Sequence, residues 1–112
     1  MPYINLKTTA CISVQQEQIL ADAFAKSCSA IGKPEAYVML GFEENCRMHF
    51  GGVKGDCAYI EVNIYGSASK SGYDKLTALL TESVCSTLDL PSSRVYVKYS
   101  ETQNWGMGGS NF

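Results

Sequence analysis

Cys57-Ala58-Tyr59-Ile60-Glu61-Val62-Asn63-Ile64-Tyr65, ending at Gly66, is the longest β-rich run in the chain, and its sequel decides the fold. After the polar stretch Ser67 to Gly72, the residues Leu76, Leu79, Leu80, Val84 and Leu88 recur at helical spacing. Pro91 closes the turn, and Val95-Tyr96-Val97-Lys98-Tyr99 returns to strand composition. Strand, helix, proline turn and strand make a βαβ unit, which implies parallel strands joined by a right-handed crossover.

The first half repeats the pattern. Tyr3-Ile4-Asn5-Leu6-Lys7 is a short β-rich run. Ser13 with Gln16 three residues on reads as a capping box. Ile19, Leu20, Ala23, Phe24, Cys28 and Ile31 then form a helical stripe, stopped by Gly32 and Pro34. Tyr37-Val38-Met39-Leu40 reads as a buried strand. Ile19 to Leu76, Cys28 to Cys85, Ile31 to Leu88, Pro34 to Pro91 and Val38 to Val95 are each 57 residues apart, a repeat of pattern more than of residues. Two such units predict an α/β chain of the two-layer α+β sandwich kind, one domain over residues 1–112. Its four-stranded sheet carries both helices on one face. The strand at Tyr37 to Leu40 is apolar on both sides, so the other face needs a cover, and an oligomer is the simplest one.

Composition narrows the function. The chain has 112 residues, 46% of them apolar, with 9 basic and 11 acidic residues and a net charge of −2. So small a chain buries a limited share of its surface, so a staple or a partner subunit would be useful. The near-neutral balance gives no electrostatic footprint for nucleic acid or an anionic membrane. No apolar run approaches the roughly 18 residues of a membrane span. Five irregularly spaced cysteines (Cys11, Cys28, Cys46, Cys57 and Cys85) suit mostly buried free thiols in a reducing compartment better than a disulfide scaffold. Met-Pro-Tyr-Ile-Asn-Leu-Lys has no basic leader before an apolar stretch, so a soluble cytoplasmic protein is expected. The tail, Asn104 to Phe112, is glycine-rich yet holds Trp105, Met107 and Phe112, unlike a linker.

Pro2 follows the initiator methionine directly. Removal of Met1 would expose a secondary amine, and burial would lower its pKa towards neutrality by disfavouring the ammonium form. An ordinary terminus fits the same residue. Six segments occur together in order: Pro2-Tyr3-Ile4-Asn5, Gly32-Lys33-Pro34 with Tyr37, Met48-His49-Phe50-Gly51-Gly52, Tyr65-Gly66, Arg94-Val95-Tyr96-Val97, and Asn104-Trp105-Gly106 through Ser110-Asn111-Phe112. With the N-terminal proline, this set resembles the macrophage migration inhibitory factor family of the tautomerase superfamily over essentially the whole chain. The resemblance implies the doubled βαβ subunit and a homotrimer whose sheets wrap a central channel. It also implies keto–enol tautomerisation of small aromatic α-keto acids such as phenylpyruvate and hydroxyphenylpyruvate, and of dopachrome analogues.

By the same resemblance, Pro2 is the catalytic base, Lys33 anchors the substrate carboxylate, and the backbone N–H of Tyr65 holds the substrate. Tyr65 replaces the family's common isoleucine. Tyr96 matches its pocket tyrosine. Lys98 replaces a substrate-contacting asparagine supplied by the adjacent subunit, and a second cation there either strengthens carboxylate binding or competes with Lys33. Tyr37, Trp105, Met107 and Phe112 are lining candidates, with Met107 in place of an aromatic residue; for Trp105 and Phe112 packing between subunits serves equally. The tail between Tyr99 and Trp105 is shorter than in the best-known vertebrate members. No cofactor and no metal is implied. His49 is single and expected on a surface turn, and the cysteines lack zinc-ligand spacing. Cys57 has no second thiol three residues on, so a redox role is not expected. Gly51 to Gly55 lacks the spacing of a phosphate loop and reads as a hairpin turn. Glu43 and Glu44 read as a solvated pair. Two further readings stay open: a cytokine-like protein, secreted without a signal peptide, that binds a cell-surface receptor; and a structural trimer with a degenerate pocket.

Overall fold

The computed structural model describes residues 1–112. Strand β1 (Pro2–Thr8) leads to helix α1 (Val14–Ser27), strand β2 (Met39–Glu43), and a short hairpin of β3 (His49–Phe50) and β4 (Val53–Lys54). The second half holds β5 (Ala58–Tyr65), α2 (Lys70–Leu88), β6 (Val95–Thr102) and a closing hairpin of β7 (Gly106–Met107) and β8 (Ser110–Asn111). The main sheet runs β2-β1-β5-β6. Its pairs β1–β2 and β5–β6 are parallel, as a βαβ unit requires, and the units join through antiparallel β1–β5.

Both central strands alternate strictly between buried and half-buried positions. Ile4 and Leu6 of β1, with Ile60, Val62 and Ile64 of β5, face the helices. Leu20, Phe24 and Cys28 from the first helical segment, and Leu76, Leu80 and Val84 from α2, close over them and leave all of these side chains without solvent contact. The stripe in α1 is narrower than its sequence suggests, for Ile19 is 55% exposed. Helix α1 starts at Ser13 with the expected reciprocal cap: its hydroxyl accepts from the Gln16 N–H at 3.1 Å, and the Gln16 side chain accepts from the Ser13 N–H at 2.9 Å.

One prediction needs correction. Tyr37 to Leu40 is not a buried strand. Glu35–Tyr37 is a 3-10 turn started by Pro34, the strand begins at Met39, and β2 lies at a sheet edge. Leu40 and Phe42 pack on the core, whereas Tyr37 and Met39 are 53% and 67% exposed.

The repeat extends further than the helices. Each hairpin turns on a glycine pair with φ positive at both residues, Gly51-Gly52 and Gly108-Gly109, again 57 apart. That turn suits the twist of short antiparallel strands. His49 therefore sits in a two-residue strand beside the turn.

Candidate active site

Pro2 opens β1 at the sheet end where the segment after α1 returns. Because β1 and β2 run parallel with Tyr3 opposite Met39, the start of β1 lies beside Tyr37, Val38 and Met39. The closing hairpin folds over the same end. The result is a cavity of about 290 Å³ lined by Met1, Pro2, Tyr37, Met39, Trp105 and Met107, among others. Pro2 itself is buried.

Lys33 reaches this end through its own backbone. Gly32 takes φ +69°, a conformation that suits glycine, and the chain reverses so that the Lys33 N–H donates to the Cys28 carbonyl at 3.1 Å. The Lys33 ammonium then donates to the Tyr65 carbonyl at 3.2 Å. On its other side, the Tyr65 N–H donates to the Met1 carbonyl at 3.3 Å. The Tyr65 ring packs against Phe112, centroids 5.6 Å apart, and the Phe112 N–H donates to the Trp105 carbonyl at 3.0 Å. A cation, a backbone donor and the N-terminal residues thus meet at one edge of an apolar cavity.

The electrostatics follow. Burial, and then the Lys33 charge, hold the Met1 amine below its ordinary value, with the Cys28 thiol opposing. Burial pushes that thiol up to about 11, so Cys28, in the core behind the site, stays neutral.

Pro2, Tyr37, Trp105 and Met107 share the cavity, and Lys33, Tyr65 and Phe112 join it through the contacts above. Tyr96 and Lys98 are not brought to Pro2 within the chain. Tyr96, 62% exposed, packs on Phe50 with centroids 4.7 Å apart and lines a separate cavity of about 260 Å³ with Met48, His49 and Tyr59. Lys98 stands opposite Glu61 in the β5–β6 register, on the sheet face away from the helices. Met39 also lines the cavity, although no motif in the sequence marks it; its place follows from the β1–β2 register.

The doubled βαβ sheet with a proline-floored cavity at one end defines a class, and comparison with known proteins agrees. The chain belongs to the macrophage migration inhibitory factor (MIF) family, whose model matches residues 1–112. It is 30% identical to a macrophage migration inhibitory factor homolog of Brugia malayi, covering 100% of this chain and 99% of that one. With the macrophage migration inhibitory factor of Xenopus laevis the identity is 27%, at the same coverage. The crystal structure of Leishmania major MIF2 superposes with a TM-score of 0.95 at 27% identity, covering 100% of this chain and 97% of the other.

Proposed function

We propose that this protein is a keto–enol tautomerase acting on small aromatic α-keto acids, with the Pro2 amine as general base once Met1 is removed. One hydrogen-bond chain carries this reading: Lys33 ammonium to Tyr65 carbonyl, and Tyr65 N–H to Met1 carbonyl. Loss of Met1 does two things together. It turns the Pro2 nitrogen into a free secondary amine at a buried position beside a cation, and it leaves the Tyr65 N–H without its acceptor. That donor and the remaining protons of Lys33 are suited to the oxygens of a carboxylate. Tyr37, Met39, Trp105 and Met107 supply an apolar slot for the ring.

In the forward direction the Pro2 nitrogen takes a proton from the carbon next to the carbonyl. The released electron pair forms the carbon–carbon double bond, and the proton ends on the carbonyl oxygen, giving the enol. The reverse order restores the ketone. No electron acceptor is needed, since substrate and product are isomers.

Tyr96 and Lys98 belong to this reading through assembly. We assign the exposed sheet face, with Met39, Tyr96 and Met107 at its rim, to contacts within a homotrimer, where Tyr96 and Lys98 of one copy complete the Pro2 cavity of the next. Lys98 then adds a second cation near the carboxylate.

The test is enol formation from hydroxyphenylpyruvate by protein with a native terminus, Met1 removal being checked by mass. Pro2→Gly is expected to lower kcat by about 10²-fold or more, the usual contribution of a positioned base. A chain that retains Met1 is expected to lose turnover as well. Unchanged activity in either form overturns the proline mechanism.

A further inference from the structure

Arg94 makes no ion pair; the sole salt bridge in the chain joins Lys70 and Asp74. Its guanidinium is spent on backbone carbonyls. Nε donates to Asp56 at 2.8 Å, Nη1 to Phe50 at 3.4 Å, and Nη2 to Val53 at 3.2 Å and Gly55 at 3.4 Å. All four carbonyls lie in or just after the β3–β4 hairpin. The same guanidinium lies over the Phe50 ring, 5.3 Å from its centroid, and Tyr96 packs on Phe50 as well. A hairpin with two-residue strands has little stability of its own. Its place beside β6 therefore depends on what ties it there, and the fork from Arg94 is that tie. A lysine carries one compact charge and no planar face, so it cannot span four carbonyls or stack on the ring in this way.

We propose that Arg94 is a positioning residue for substrate recognition: it fixes the hairpin, the hairpin fixes Phe50, and Phe50 holds Tyr96 at the angle at which it meets the substrate's aromatic ring. This rests on the tautomerase reading, in which Tyr96 faces the cavity of an adjacent copy. Arg94 itself touches no substrate. Its effect is confined to the ring end of the substrate, away from the base and the carboxylate.

The experiment compares hydroxyphenylpyruvate with an aliphatic α-keto acid in the wild type, Arg94→Ala, Arg94→Lys, Tyr96→Leu and the Arg94→Ala/Tyr96→Leu double variant. Arg94→Ala is expected to raise KM for the aromatic substrate about 3- to 10-fold, what one lost aromatic contact is worth. Its kcat stays within about 2-fold, and the aliphatic substrate is unaffected, because the base is untouched. In the Tyr96→Leu background Arg94→Ala adds nothing further, as expected for two residues acting as one unit. Added ethylguanidinium restores KM to Arg94→Ala. Equal loss on both substrates, an additive double variant, or an unchanged KM each overturns the proposal. Should Arg94→Ala fail to fold, Arg94→Lys carries the same comparison. A wild type that turns over neither substrate overturns the tautomerase reading instead. The Phe50–Tyr96 ring contact, followed by nuclear Overhauser effects in Arg94→Lys, then decides the positioning claim: its loss supports the tie, and its persistence overturns it.

Discussion

Lys33 is fixed at both ends, its N–H on the Cys28 carbonyl and its ammonium on the Tyr65 carbonyl, so its charge stays close to the chain's N-terminus. A like charge disfavours the ammonium form of a neighbouring amine and lowers its pKa. In the proposed mechanism the base form of Pro2 is the active one, so kcat/KM is expected to rise with pH through the pKa of that amine. Lys33→Ala removes the like charge, raises the amine's pKa and moves the rising limb to higher pH, while KM for the carboxylate substrate rises. A pH–rate profile of both proteins checks the direction. Cys28 makes a separate prediction. Its thiol is without solvent contact and pushed up to about 11, whereas Cys11 is exposed. Iodoacetamide at pH 8 is expected to label Cys11 in the native protein and to leave Cys28 unmodified, as read by peptide mass.

Among the elements, the start of α2 packs closely against the end of the first helical segment. A β-carbon on Gly72 would come within 2.8 Å of the Ala30 carbonyl oxygen, a backbone atom that moves only with the segment carrying Cys28 and Lys33. Gly72→Ala is expected to cost about 1–3 kcal/mol, in the range of overpacked sites, and to lower turnover by displacing Lys33. Ser13→Ala removes only the cap of α1, costs about 1 kcal/mol, and leaves turnover unchanged because that cap lies at the end of α1 opposite the one that leads to Lys33. Thermal unfolding and the enol assay separate the two. How much the chain discloses varies with the element. The cap at Ser13, the stop at Gly32 and the 57-residue repeat are local patterns, and they were legible. The turn Glu35–Tyr37 was not, because an apolar run after a proline reads as strand until an edge position is known. The hairpins β3–β4 and β7–β8 were only partly legible, since two-residue strands carry no periodicity and their contacts, Arg94 with Phe50 and Tyr65 with Phe112, come from residues distant in sequence. At the site, Pro2 and Tyr37 are joined by the register of β1 and β2, which no spacing in the first half announces.

Across the whole molecule, one sheet face is sealed by two helices, and the other presents Tyr3, Asn5, Tyr59, Glu61, Tyr96 and Lys98 at partly or fully exposed positions. Together with the exposed side chains of Tyr37, Met39 and Met107, this leaves several large apolar and aromatic side chains uncovered around one face. Light scattering after size exclusion is expected to give about three times the 12.2 kDa chain mass, and a particle of single-chain mass would remove the route by which Tyr96 and Lys98 reach Pro2. In the proposed trimer the small, nearly neutral chain would gain its missing cover from its own copies. The central claim is narrower: a free Pro2 amine, depressed by burial and by Lys33, is the base. Its most direct test is an NMR titration of protein carrying ¹⁵N-labelled proline and lacking Met1, set beside the pH dependence of kcat/KM for hydroxyphenylpyruvate. The Pro2 nitrogen is expected to titrate below the ordinary α-amino value of about 8, with the rising limb of kcat/KM at the same pH. A Pro2 nitrogen that titrates at the ordinary value, or a limb that does not coincide with it, would contradict the account.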